Sequence, residues 1–386
     1  MQQMLRQGSI QLQPLSSEQS SSPDPLISIG WDETRSRQLV ESNGTKALVP
    51  ARIARVDGSS SLLITPHGQS RGEISNKLHF ELVDTVGQLA VGDWVGVVPR
   101  PAHGTDSIEA VLPRTSQLVR TRQDMKSSVE TQVVAANIDS IFIVHAANNI
   151  NQRRIEREVA QVAAGGAAPV VVLNKCDLVG DIYGVLDEAE SAAPGVPVHA
   201  VAGLTGDRVD DLRGYAAGNR TMAFIGASGV GKSTLINRLL GEEILATSAV
   251  REDDQRGRHT TTARHLLPLP GGGALIDTPG MRSLGLSDSA AGLGQVFSDI
   301  VQLETSCRFS DCSHRGEPGC AVREALGSGE LDPDRLDSFH KLNRELEYIE
   351  SKTNIHLNAA RRKVWRDRAK ANRKRMRARD RFGSSG

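Results

Sequence analysis

Two short strings, and the order in which they occur, restrict this chain more than anything else in it. Asn174-Lys175-Cys176-Asp177 closes an apolar run, Val170–Leu173, that reads as a buried strand. About 50 residues later, Gly226-Ala227-Ser228-Gly229-Val230-Gly231-Lys232-Ser233 satisfies G-x4-G-K-[ST], between an apolar run, Met222–Ile225, and a helical segment, Lys232–Leu240. Glycines there let backbone N–H groups turn inward around phosphates, with Thr234 in the following turn. Lys232 is placed to reach β- and γ-phosphate oxygens, and the Ser233 hydroxyl suits Mg²⁺. At Asp177, a carboxylate can accept from both N1–H and N2–H₂ of guanine. Adenine offers no such pair, so it would leave the carboxylate unpaired. Lys175 is expected along the base plane, and Asn174 is expected to tie its loop to the phosphate loop. The two strings stand in the reverse of the usual order. A site needs spatial rather than sequential order, so the sheet survives if the chain is circularly permuted.

Two further strings follow. Asp277-Thr278-Pro279-Gly280 ends the apolar run Ala274–Ile276, 44 residues beyond Ser233. There Asp277 is expected to help hold Mg²⁺ and the Gly280 N–H to face a γ-phosphate. Between them lies Gly257-Arg258-His259-Thr260-Thr261-Thr262, where Thr261 is the candidate Mg²⁺ ligand. Met281 stands where a water-orienting glutamine would be, so His259 is the candidate to position water, with a surface histidine as its rival; Lys232 is the second catalytic candidate. Permutation also means that the segment after Asp277 leads straight into the C-terminal part.

Around these strings the fold class reads as multidomain. Residues 1–45 are polar, with Ser20–Ser22 before Pro23 and Pro25, and are expected to be a disordered extension. Short apolar stretches at Ala51–Val56, Ser61–Thr65, Trp94–Val98 and Ile108–Leu112 suggest a small β-barrel over 46–115, with the oligonucleotide-binding (OB) type one option. Trp94 opens a strand after Gly92-Asp93 and is expected in the core. Over 116–296, strands at Ile138–His145, Val170–Leu173, Val196–Val201, Met222–Ile225 and Ala274–Ile276 alternate with helical segments at Arg154–Ala164, Val209–Tyr215 and Lys232–Leu240. That predicts a parallel α/β sheet covered on both faces.

A mainly helical domain is expected over 297–355. Asp332-Pro333 reads as a helix start, and Leu336, Phe339, Leu342, Leu346 and Ile349 recur on one face. Within it, Cys307-x4-Cys312-x-His314-x5-Cys320 offers three thiolates and an imidazole, a closed tetrahedral Zn²⁺ set of structural type. The fourth cysteine, Cys176, stands alone. Three clustered cysteines do not pair off into disulfides, so a reducing, cytoplasmic location is expected. There is no apolar run long enough to cross a bilayer and no signal peptide, and a monomer is the default.

Charge sharpens the ends. The chain is formally neutral, yet residues 361–386 hold 12 of its 46 Lys and Arg and 2 of its 46 Asp and Glu. A basic tail over 356–386, carrying Trp365 and Phe382, on an acidic body suggests a polyanion-binding arm.

Together the strings at 174–177, 226–233, 257–262 and 277–280, the 307–320 cluster and Val134-Ala135-Ala136-Asn137-Ile138-Asp139 closely resemble the small-ribosomal-subunit-dependent GTPase family RsgA, also called YjeQ. The resemblance spans roughly residues 46–352. It implies an OB barrel, a permuted GTPase domain and a zinc domain. It also implies GTP hydrolysis stimulated by the small ribosomal subunit, late maturation of that subunit, and contact with its rRNA. It supports the Mg²⁺ role of Thr261 and a catalytic role for His259. One departure concerns the last guanine-contacting string, Ser-Ala before Thr-Gly in the family. Here it reads Ala202-Gly203-Leu204-Thr205-Gly206, with Ala202 and Gly203 as the expected contacts. Two other functions fit the residues: an RNA-binding scaffold with GTP as a structural ligand, and a translation-cycle GTPase on mature ribosomes.

Overall fold

The computed structural model describes residues 24–42, 47–84, 88–100, 104–123, 129–245, 264–278 and 290–347. It begins with two helices, α1 (Pro25–Ser28) and α2 (Glu33–Ser42). Asp24 caps the first, its Oδ1 accepting from Leu26 N at 2.9 Å, and a proline sits at the start where its missing N–H costs nothing. Leu26, Ile29 and Leu39 are buried. The expectation of a disordered extension through residue 45 is therefore corrected for 24–42. Three well-spaced apolar side chains anchor a segment whose composition is otherwise polar.

Next comes the barrel: β1 (Val49–Asp57), β2 (Ser60–Thr65), β3 (Gly68–Ile74), helix α3 (Asn76–Asp84), β4 (Trp94–Val98) and β5 (Asp106–Val111). It closes in the order β1-β2-β3-β5-β4, with β4 pairing back onto β1 and β3 running parallel to β5. That order, with the helix between β3 and β4, is the OB arrangement. Ala51, Ile53, Leu63, Val95, Val97 and Ile108 fill the interior, and Leu78 and Leu82 of α3 plug one end. Trp94 is in the core, 1% exposed. Among the barrel strands, β3 escaped the sequence reading because Gly-Gln-Ser-Arg-Gly-Glu-Ile has no apolar alternation.

A hairpin, β6 (Gln117–Gln123) and β7 (Val129–Ala136), leads into the α/β domain. There follow β8 (Ser140–Ala146), α4 (Gln152–Ala164), β9 (Ala168–Asn174), α5 (Ile182–Ala192), β10 (Val198–Val201), β11 (Thr221–Gly226), α6 (Lys232–Leu240), β12 (His265–Pro268) and β13 (Ala274–Asp277). Their sheet order is β10-β9-β8-β11-β13-β12, parallel except for β12. Strands buried on both faces read as continuous apolar runs such as Phe-Ile-Val in β8 and Val-Val-Val-Leu in β9. The permutation is visible in the topology: β11, late in the chain, pairs beside β8, which comes first, and β13 follows on its far side. The edge strand β12 lies against β1 of the barrel. Burial, then the charge of Arg55, holds His265 of β12 below the ordinary imidazole value.

The last part comprises α7 (Ala290–Val296), α8 (Ser298–Glu304), α9 (Ala321–Ser328) and a helix over 333–347. Asp332 caps that helix, its Oδ1 accepting from Asp334 N at 2.8 Å. Leu336, Phe339, Leu342 and Leu346 are buried in one cluster with Phe297, Ile300, Val322 and the inner face of α4. Among the described residues, no helix is long and apolar enough to cross a membrane.

Candidate guanine nucleotide and metal sites

The carboxyl ends of β9, β10, β11 and β13 open on one edge of the sheet, where ligands of such sheets sit. They deliver Asn174, Ala202, Gly226 and Asp277 to a common rim. Asn174 is the fastener. Its Nδ2 donates to Val230 O at 2.8 Å and its Oδ1 accepts from Gly203 N at 2.8 Å, both buried. One amide thus joins the base-reading strand, the phosphate loop and the 202–206 loop. Gly231 is required at that junction: φ is +96°, and a Cβ there would lie 2.2 Å from Asn174 Nδ2. Lys175 Nζ donates to Gly229 O at 2.7 Å, a second tie between the same two loops.

In the phosphate loop itself, Lys232 Nζ donates to Gly226 O at 2.9 Å and Ala227 O at 2.7 Å. The ammonium is therefore held inside the loop that its charge would serve. Ser233 and Thr234 occupy the first turn of α6, half-buried. Thr278 Oγ1 donates to Phe224 O at 2.6 Å, a buried bond that clips the end of β13 to the strand feeding the loop. Asp277 is thereby held beside it. Asp177 is exposed and makes no hydrogen bond or ion pair among the described residues, as a carboxylate kept for a ligand would. Burial, and then the carboxylates of Asp177 and Asp207, pushes the Cys176 thiol above its ordinary value, so it stays protonated. His259, Thr261 and Gly280 lie outside the described residues, as does the basic tail.

The second constellation is at the start of α9. The ligand atoms of Cys307, Cys312, His314 and Cys320 all lie within 4.8 Å of one another. Cys320 Sγ stands 3.4 Å from His314 Nδ1, and Cys307 Sγ stands 3.8 Å from that nitrogen and 4.0 Å from Cys320 Sγ. Edges of about 3.8 Å are what a tetrahedron with Zn–S bonds near 2.3 Å requires. On its far side, His314 Nε2 meets Glu304 Oε1 at 2.8 Å, the carboxylate support that fixes which nitrogen faces a metal. The donor set and its packing fit a closed metal centre.

A family model described as RsgA GTPase matches residues 111–287. A small ribosomal subunit biogenesis GTPase RsgA from Streptomyces avermitilis is 42% identical over 351 residues, covering 90% of this chain and 92% of its own. The chain belongs to the RsgA GTPase family. A relative named RsgA 2 from Lactiplantibacillus plantarum is also 42% identical, over 84% of this chain and 90% of its own. Among solved structures, YjeQ from Thermotoga maritima superposes with a TM-score of 0.58 at 24% identity, over 78% of this chain and 99% of that one. YloQ, described as a circularly permuted GTPase, gives 0.53 at 21% identity. Those two share the fold. As a member of the RsgA family the protein is a GTPase.

Three residues of this site were not legible in the sequence. Thr278 and Glu304 act through contacts that no motif marks. Arg238, on the outer face of α6, donates to Leu204 O at 2.7 Å. An arginine in the last turn of a helix carries no signal of that reach.

Proposed function

We propose that this chain hydrolyses GTP in the cytoplasm, as a monomer, to drive a late step in maturation of the small ribosomal subunit. The observation that carries the reading is Asn174, whose one side chain fastens the guanine-reading strand to the phosphate loop in spite of their reversed order. In this reading Asp177 accepts from guanine N1–H and N2–H₂ and Lys175 lies along the base. Residues 226–234 wrap the phosphates, with Lys232 on the β- and γ-oxygens. Ser233, Thr261 and Asp277 hold Mg²⁺, which supplies charge neutralisation on the phosphates. His259 positions the water, and Gly280 N–H faces the γ-phosphate. Water adds to the γ-phosphorus, its bond to the β–γ bridging oxygen breaks, and GDP and phosphate leave.

Cys307, Cys312, His314 and Cys320 hold one structural Zn²⁺. The barrel, the zinc module and the basic tail meet rRNA, and the docked state is the GTP-bound one. Names of relatives such as the Streptomyces avermitilis protein support the ribosomal partner. The test is GTP turnover of the protein alone, with small subunits and with large subunits. Strong stimulation by small subunits only is expected, and equal rates in all three would overturn the ribosomal part.

A further inference from the structure

In the 202–206 loop the expected base contacts are already spent. Ala202 N donates to Asp207 O at 3.0 Å, and Gly203 N to Asn174 Oδ1 at 2.8 Å. Gly206 N closes the turn on Ala202 O at 2.8 Å. The N–H groups of Leu204 and Thr205 have no acceptor among the described residues. They follow directly on the residue fastened to Asn174, so they sit at the same rim as Asp177.

Something must hold those two N–H groups in place, and it is not the Leu204 side chain, which is 78% exposed. Arg238 does so for the Thr205 group, from below. Its Nη2 donates to Leu204 O at 2.7 Å, and its guanidinium lies against Gly206, where a Cβ would come within 3.3 Å of Nη1. Leu204 C=O and Thr205 N–H share one planar trans peptide and point opposite ways. A bond that pulls the carbonyl toward α6 therefore turns the Thr205 N–H outward. Arg238 belongs to the helix whose first turn carries Lys232, Ser233 and Thr234, and Arg213 steadies its end by donating to Arg238 O and Leu239 O at 2.9 and 2.7 Å.

We infer that Arg238 is a positioning residue for base selectivity: it turns the Thr205 N–H, beside that of Leu204, toward position 6 of the purine. Two donors there favour the O6 acceptor of guanine and oppose the amino group of adenine. The arrangement replaces the serine that this loop lacks with a brace from the phosphate-loop helix. The inference rests on the guanine reading of 174–177 and adds the second edge of the base to it.

The experiment compares affinities for GDP and for 2-aminopurine riboside 5′-diphosphate, which keeps the N2 amine and lacks both O6 and the N1 proton. Wild-type protein is expected to prefer GDP. Arg238→Ala should weaken GDP by about fivefold, the worth of one ordinary hydrogen bond, and leave the analogue unchanged. Arg238→Lys, which can still donate to Leu204 O, should keep most of the preference. A parallel fall for both nucleotides, or an unchanged ratio in Arg238→Ala, would overturn the role of Arg238 and leave the guanine reading standing. Equal binding of the two by wild-type protein would overturn the guanine reading itself.

Discussion

The barrel and the C-terminal helices are both attached to the α/β sheet, by opposite means. At the barrel, main chain meets main chain. Val91 bridges Ala135, and Ala136 N donates to Val91 O at 2.9 Å. Arg52 is buried under the seam, donating to Ile29 O, Gly92 O, Asn137 O and Thr221 Oγ1, with its guanidinium 4.6 Å from the Trp94 ring. Burial, and then the charge of Arg35, lowers its pKa to about 9, still protonated at neutral pH. One cation thus binds the N-terminal helices, the barrel and the foot of β11.

Among the described residues, the C-terminal helices pack on α4, by a close backbone approach at Gly292 and by side chains. Arg335 crosses to α4 by donating to Glu156 Oε1 at 3.2 Å, while its bonds to Asp299 Oδ1 at 2.9 Å and Val296 O at 2.7 Å tie the C-terminal helices to one another. Burial alone would raise the Asp299 carboxyl, but the bonds and charge of Arg335 outweigh it and hold it below its ordinary value. The outer pairs, Arg153 with Asp334 and Arg157 with Glu345, are exposed and add little. The difference separates a fused appendage from a docked one: the barrel shares backbone bonds and a buried cation with the α/β part, whereas the helices pack on one face through α4.

Chelation gives the largest contrast: with the proposed Zn²⁺ on Cys307, Cys312, His314 and Cys320, it is expected to unfold the helical module, since binding energies of structural zinc are on the order of 10 kcal/mol. GDP affinity should stay within about twofold. Hydrogen exchange alongside GDP titration reads both, and loss of GDP binding together with the module would break the contrast. Next, Arg52→Ala strands four acceptors and empties a buried space, and should cost about 3 kcal/mol. In chemical denaturation the barrel should then unfold ahead of the sheet; a single unshifted transition would show that the seam does not depend on Arg52.

The smallest effect belongs to the α4–α7 crossing. A Cβ at Gly292 would lie 2.4 Å from Ala164 N and 2.8 Å from Ala160 O, both backbone, so Gly292→Ala must part the helices. A loosening of about 2 kcal/mol is expected. It should appear as faster exchange in α7 and 333–347 with the barrel untouched, and equal exchange in both would refute the account of this joint as a separate docking face.

What the sequence disclosed and what it hid follow the same division. The phosphate loop, the guanine string and the metal cluster are legible because their chemistry needs particular residue types at fixed short spacing. Strands β8, β9 and β11 are legible because burial on both faces leaves unbroken apolar runs. By contrast, α1 and α2 rest on three buried side chains in a polar stretch, and β12 is four residues long. Arg52, Arg238 and Thr278 find their partners across 23 to 169 residues of chain. Nothing local distinguishes the two arginines from any other, and the 277–280 string contains Thr278 without marking its reach to Phe224.

The edge strand β12 has a bearing on how the chain can be cut. A terminal strand of a sheet is a template for pairing with other molecules unless something covers it. Here the cover is β1, so the barrel shields the sheet from self-association. A GTPase fragment trimmed at the start of β8 would expose that flank, and its solubility would fail before its nucleotide site did.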